Sequence, residues 1–163
     1  MPLEVERHRA ALEAALAASA PSARAKLAAI RATLPPKARG VDIGIMMDAD
    51  GEGSVSVLLY LDGPDLFVLQ QAIEPYWKLF ESSFETRVVD GVIVPGVPIL
   101  HPGDPPANDD GNPDDLLPVH ASSAEACRAW IAGLWAELGG MGLPARTFLD
   151  CGIGPEGAQP LAP

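Results

Sequence analysis

Two alternating runs separated by a turn-forming string constrain this chain more than anything else in it. Val41, Ile43, Ile45 and Met47 alternate with Asp42, Gly44 and Met46, and Val55, Val57, Leu59 and Leu61 alternate with Ser56, Leu58 and Tyr60. Successive side chains on a strand point to opposite faces, so each set lines one face of a sheet. The string between them, Asp48-Ala49-Asp50-Gly51-Glu52-Gly53, is rich in turn formers, so the segment predicts a β-hairpin that seeds an antiparallel sheet. Met46, Leu58 and Tyr60 fall on the second face. That face therefore also needs apolar cover, from the N-terminal helices or from a second copy of the chain, which makes a homodimer one expectation.

The residues before the hairpin read as helix. Residues 3–19 are rich in Ala, the best helix former, with Val5, Leu12 and Leu16 on one stripe. Pro21 predicts a break, and Ser22 an N-cap for a second helix carrying Leu27, Ile30 and Leu34. The short link predicts a helical hairpin over residues 1–36. After the β-hairpin, Asp62-Gly63-Pro64-Asp65 starts a helix whose apolar positions are Leu66, Leu69, Ile73, Trp77, Phe80 and Phe84, with a kink or break at Pro75. Asp90-Gly91 between Val88-Val89 and Val92-Ile93 marks a second hairpin, because Gly accepts the positive φ of a two-residue turn.

Residues 101–121 form a long acidic loop, and Ser122 with Glu125 reads as a capping box for a helix over 122–140 that stops at Gly139-Gly140. Cys127, Ile131, Leu134 and Leu138 make the buried stripe of that helix. Residues 146–150 predict a last short strand, and residues 152–163 a loose tail. No internal repeat is visible. The expected fold is α+β in one domain over residues 1–163: an antiparallel sheet of about four to five strands from two hairpins, packed against helices, behind an N-terminal helical hairpin. Within it, residues 41–100 form a hairpin–helix–hairpin unit.

Charge narrows the function. The net charge is −11 and is unevenly placed: residues 1–40 hold seven Lys/Arg against three Glu, whereas residues 41–163 hold four against nineteen Asp/Glu. An acidic body repels phosphate backbones, so nucleic acid is not an expected partner; a basic protein or a cation is. The basic residues Arg24, Lys26, Arg31, Lys37 and Arg39 come without the aromatic or Gly-rich readers of nucleic-acid modules and read as a solvated helix face, with pairing to the acidic body as one expectation. No apolar run reaches the roughly 18 residues of a membrane span, and no apolar segment follows the charged start, so a cytoplasmic location with reduced Cys127 and Cys151 is expected. Arg outnumbers Lys, and Ala, Gly and Pro are abundant, a composition expected of a bacterial chain from a GC-rich genome.

Four constellations offer chemistry. Asp48, Asp50, Glu52 and Gly53 resemble the start of an EF-hand calcium loop, but Leu59 stands where that loop needs a bidentate Glu; a hairpin tip with weak cation affinity is the reading. His101 and His120 bracket Asp104, Asp109, Asp110, Asp114 and Asp115, ligand types that suit a transition metal without a recognised spacing, so an acidic loop that attracts cationic partners is preferred. Cys151 before Gly152-Ile153-Gly154 could act as a nucleophile only with a base such as His120 within reach. Tyr76, Trp77, Trp130 and Trp135 could line a ligand pocket. No phosphate-binding loop, nucleophile elbow or zinc motif is present, and no cofactor is expected. The expected function is a non-enzymatic acidic binding protein, immunity- or inhibitor-like in composition, whose Asp104, Asp109, Asp110, Asp114 and Asp115 help engage a basic protein. The alternative is a small-ligand binder or enzyme using the aromatic pocket.

Overall fold

The computed structural model describes the backbone of residues 3–47, 55–82, 88–89, 92–93, 117–150 and 155–163. Helix α1 (Leu3–Ala32) leads into β1 (Gly40–Met47) and β2 (Val55–Asp62). Helix α2 (Leu66–Ile73) and β3 (Lys78–Ser82) follow, then the short strands β4 (Val88–Val89) and β5 (Val92–Ile93). Helix α3 (Leu117–Leu138) leads into β6 (Ala145–Asp150) and β7 (Pro155–Pro160). The main sheet has the order β3-β2-β1-β6-β7, and β4-β5 pair separately.

The first hairpin forms in the register that its alternation dictates, with Ile43 opposite Leu59 and Ile45 opposite Val57. Val41, Ile43, Ile45, Val57 and Leu59 are fully buried on one face. Each such side chain contributes about 1.5–3 kcal/mol by leaving water. Leu12, Leu16, Leu27 and Ile30 of α1 and Cys127, Ile131, Leu134 and Trp135 of α3 join them in one core.

The α+β class holds, with corrections inside it. The expected helical hairpin over residues 1–36 is a single 30-residue helix that continues through Pro21. Its buried positions, Val5, His8, Leu12, Leu16, Ala23, Leu27 and Ile30, stay in phase across the proline. Pro21 and Ala17, whose carbonyl loses its helical donor, are both exposed, so water can serve that carbonyl. The cost of an interior proline, roughly 3 kcal/mol, is offset by keeping one continuous stripe in the core.

Second, the sheet is mixed, not antiparallel: β1 pairs with β2 antiparallel and with β6 parallel. The helices explain this. Arg9 reaches Glu125, Arg24 reaches Glu137, and Arg31 reaches the Leu138 carbonyl, so α1 and α3 run side by side in the same direction. Each then enters the sheet from the same end, and the strands that follow run parallel in its centre, where parallel strands are usually found.

Third, Pro75 ends a helix and does not kink one: α2 stops at Ile73, and Phe80 lies on β3, buried opposite Val57. α2 buries Leu69 and Ile73, but Leu66, expected on the buried face, is 59% exposed, with Phe67 at 73% and Val68 at 55%. Asp65 caps this helix from a left-handed conformation (φ 61°), its carboxylate accepting from the Val68 N–H at 3.5 Å. Asp tolerates that region better than most residues because its short polar side chain bonds locally.

Fourth, α3 begins at Leu117, so residues 117–121 of the expected loop are helical and Ser122 is not a cap. Ser122 and Ser123 are buried inside the helix, while Pro118 occupies its first turn, where the missing N–H costs nothing. The helix does stop at Gly139-Gly140, both at positive φ, with Gly140 N–H donating to the Trp135 carbonyl. The expected tail is strand: β7 pairs with β6, and the Leu161 N–H extends that ladder to the Ala145 carbonyl. The second hairpin forms as expected, Val88 opposite Ile93 and Val89 opposite Val92, as its own two-stranded sheet.

Candidate functional site

The helices α1 and α3 share the core with one face of the main sheet, and the second face carries a different set of side chains. Alternation places Asp42, Gly44 and Met46 of β1 there, with Ser56, Leu58 and Tyr60 of β2 and Arg146, Phe148 and Asp150 of β6. Gly44 sits between Leu58 and Phe148 in the register. A Cβ at position 44 would lie 2.9 Å from Phe148 Cζ and 3.3 Å from Cε2, so the ring lies over bare backbone that only glycine provides. An aromatic covering a strand glycine restores the packing that the glycine lacks.

Tyr60 links this ring to a third one. Its centroid is 6.4 Å from Phe148 and 5.7 Å from Trp77, the latter pair inclined at 56°. These are tilted arrangements of the kind that aromatic quadrupoles favour. Lys78 Nζ stands 5.8 Å from the Trp77 ring centroid and pairs with Glu81 at 3.5 Å. Arg146 Nε donates to Asp42 Oδ1 at 2.7 Å and a second guanidinium nitrogen to Oδ2 at 3.4 Å. Hydrogen bonding to Asp42, then its charge, raises the Arg146 pKa. Burial, and then the charge of Asp150, raises that of the Tyr60 phenol, so Tyr60 is a neutral donor at pH 7. Among the described residues, the register puts Asp42, Asp62, Glu81 and Asp150 on this face with Lys78 and Arg146, four carboxylates to two cations. The result is a half-buried aromatic shelf with an acidic surround.

The four aromatics expected to line a pocket are spread over both sides of the sheet. Trp135 is buried in the core, and Trp130 packs edge-on against Phe80 on that same side, at 5.9 Å. Trp77 turns to Tyr60 on the other, and Tyr76 is half-buried against the core. Asp48, Asp50, Glu52, His101, Asp104, Asp109, Asp110, Asp114, Asp115 and Cys151 lie outside the described residues. His120 lies in the first turn of α3, not in a loop, and its charge, after burial, lowers the His8 pKa. Burial pushes the Cys127 thiol up to about 12, which leaves no useful thiolate at neutral pH. Among the described residues, no group of three or more His, Cys, Asp or Glu is placed to hold a metal ion, and no helix is long and apolar enough to cross a membrane. Sequence reasoning placed Tyr60 on the second face but missed Gly44, Phe148 and the Asp42–Arg146 pair. The signal for them was the alternation of Arg146, Phe148 and Asp150 with Ala145, Thr147 and Leu149.

The basic residues of α1 also find their places here. Arg24 donates to both carboxylate oxygens of Glu137, at 2.6 and 3.3 Å. Lys26 donates to the Lys78 carbonyl and Arg31 to the Leu138 carbonyl, each at 2.6 Å. These three cations tie α1 to α3 and to β3.

A family model matches residues 3–162, nearly the whole fold described above. The chain belongs to a family of unknown function, DUF6389. No curated protein matches this DUF6389 chain, and no solved structure does.

Proposed function

We propose that this DUF6389 chain is a non-enzymatic, cytoplasmic binding protein that engages a basic protein partner through the second face of its sheet. The observation that carries the reading is the Tyr60–Trp77–Phe148 shelf with its excess of carboxylates. Aromatic side chains dominate the energetics of protein interfaces, since they bury large areas with few rotamers to fix. Their ring faces also attract Arg and Lys, at about 0.5–1 kcal/mol when exposed and about 2 when desolvated. The surrounding carboxylates, within a chain of net charge −11, attract such cations and raise the association rate. Asp104, Asp109, Asp110, Asp114 and Asp115 add to that field wherever they lie within a Debye length, about 8 Å at physiological salt. The composition suits a bacterial immunity- or inhibitor-like protein.

The test uses the chain as bait in lysate of its own host, at low salt and near 1 M salt, beside Trp77→Ala and Phe148→Ala variants. The proposal expects a protein of basic isoelectric point that is recovered at low salt, lost at high salt and lost with either variant. Recovery that both variants leave intact, or a recovered partner without basic character, overturns it.

A further inference from the structure

Among the described residues, the large apolar side chains that stand exposed are three, and they are consecutive: Leu66, Phe67 and Val68. They form the first turn of α2, where the helix dipole favours Asp or Glu, and no acidic residue occupies that turn. Nor does the turn serve the core. The helix is anchored further along, by buried Leu69 and Ile73 and by Gln70 Nε2, which donates to the Leu59 carbonyl at 3.2 Å. Single apolar side chains on a surface are ordinary, but a contiguous cluster with an aromatic at its centre marks a contact.

The chain leading into α2 fixes what surrounds this cluster. Gly63 has φ 148°, and a Cβ there would lie 2.7 Å from the Lys37 carbonyl oxygen and 3.4 Å from the Arg39 nitrogen. The Arg39 N–H donates to the Asp62 carbonyl at 2.8 Å. Residues 37–39 are therefore pressed against the turn that starts α2, an approach that only glycine permits. Lys37 and Arg39 are exposed beside that turn, and Asp62 and Asp65 are exposed within it. Both carboxylates are held locally, Asp62 accepting from the Gly63 N–H at 2.9 Å and Asp65 from the Val68 N–H at 3.5 Å. The patch thus has an apolar centre and a rim of two cations and two carboxylates.

The mixed rim decides the occupant. A basic partner would meet Lys37 and Arg39, and an anionic lipid surface would meet Asp62 and Asp65 on a chain of net charge −11. A second copy of the chain brings both signs. We propose that the protein pairs with itself through the first turn of α2, Phe67 of each protomer packing on the same turn of the other. A twofold axis presents one patch to itself, so the cations of each copy face the carboxylates of its partner while the apolar turns meet at the centre. A patch built on three side chains is small beside the roughly 800 Å² per partner of a standard interface, so the dimer comes apart on dilution. Tyr60, Trp77 and Phe148 take no part in it, and this contact stands independently of the one assigned to the shelf.

Sedimentation equilibrium of the full chain between about 1 μM and about 1 mM, the range of weak specific contacts, tests the pairing. The mass should rise from 17.0 kDa toward twice that value. Phe67→Ser should abolish the rise and leave the melting temperature of a dilute sample unchanged, because the ring is 73% exposed. Two rim variants probe the axis: Lys37→Glu with Arg39→Glu in one chain, and Asp62→Lys with Asp65→Asn in another, where Asn keeps the cap and tolerates the left-handed backbone. Like charges then oppose each other in each variant, which should weaken its self-association about tenfold or more, and an equimolar mixture should regain the wild-type strength. A wild-type mass fixed at 17.0 kDa throughout, or a rise that Phe67→Ser leaves intact, overturns the proposal. So does a mixture that associates no better than its two components. A dilute Phe67→Ser chain that melts well below wild type shows that the ring is covered by its own chain, and binding of a monomeric chain to phosphatidylcholine–phosphatidylglycerol vesicles shows a lipid occupant; either result also overturns it. If the Asp62→Lys, Asp65→Asn chain does not fold, Phe67→Ser and the Lys37→Glu, Arg39→Glu chain still decide.

Discussion

The two faces of the central hairpin are built from the same eight-residue strands, yet one is a core and the other a half-buried aromatic surface. On the helix side every second residue is aliphatic, and Val41, Ile43, Val57 and Leu59 are sealed beneath α1 and α3. On the other side the positions go to Gly44, Met46, Leu58 and Tyr60, with Phe148 and Trp77 from the neighbouring strands. Aliphatic side chains of fixed rotamer suit a contact that is never undone. Aromatic rings around a glycine, rimmed by charge, suit one that is made and broken. A single sheet therefore separates the residues that hold the fold from those to which we assign binding in the proposal.

That separation is best broken on adjacent positions of one strand. Val57→Asp puts a carboxylate into a fully buried site and should cost several kcal/mol against a total of ~5–15, enough to leave the chain largely unfolded by circular dichroism. Leu58→Asp, one residue on and facing the other way, should melt cooperatively and only slightly below wild type. Equal losses from the two would mean that the faces are not distinct. A smaller effect is expected from Gly44→Val, whose branched side chain collides with the Phe148 ring. Overpacking of this kind costs about 1–3 kcal/mol, so denaturant unfolding should show a lower midpoint with an unchanged slope. On the binding proposal, losing the close Phe148–Gly44 contact should also weaken recovery of the partner. The smallest effect belongs to Arg146→Gln. Its pair with Asp42 is well exposed on the arginine side, and exposed pairs contribute little, so the melting temperature should barely move. A large fall would show that the rim is structural.

Legibility followed the range of the interactions. The hairpin of β1 and β2 is readable because a period of two, a turn string and a second period of two all lie within about twenty residues. The Asp90-Gly91 hairpin is readable for the same reason. What failed depended on distant partners. Pro21 obeys a local rule that predicts a break, but the stripe from Val5 to Ile30 is set by a core that the local rule does not see. Ser122 and Glu125 satisfy the pattern of a capping box, yet burial of Ser122 and Ser123 carries the helix back to Leu117. Pro155-Glu156-Gly157 through Pro160 reads as a tail, but an outer strand tolerates proline at its ends, where no ladder donor is required. The candidate site was half legible. Tyr60 is placed by alternation alone, whereas its contact with Phe148 needs β6 beside β1, a pairing that nothing within either strand announces.

That pairing has a consequence for how the molecule comes together. Asp42 and Arg146, partners across the two central strands, are 104 residues apart in the chain. The loop that their meeting closes is among the largest this sequence permits, and its closure entropy must be met before the parallel ladder returns any stability. Chains dominated by such distant contacts fold in milliseconds to seconds, not microseconds. Until β6 arrives, the β1–β2 hairpin stands with the hydrogen-bonding groups along the outer side of β1 unmatched and its aliphatic face uncovered. A nascent edge of that kind can recruit a neighbouring chain in place of its own β6, so refolding yield should fall as concentration rises.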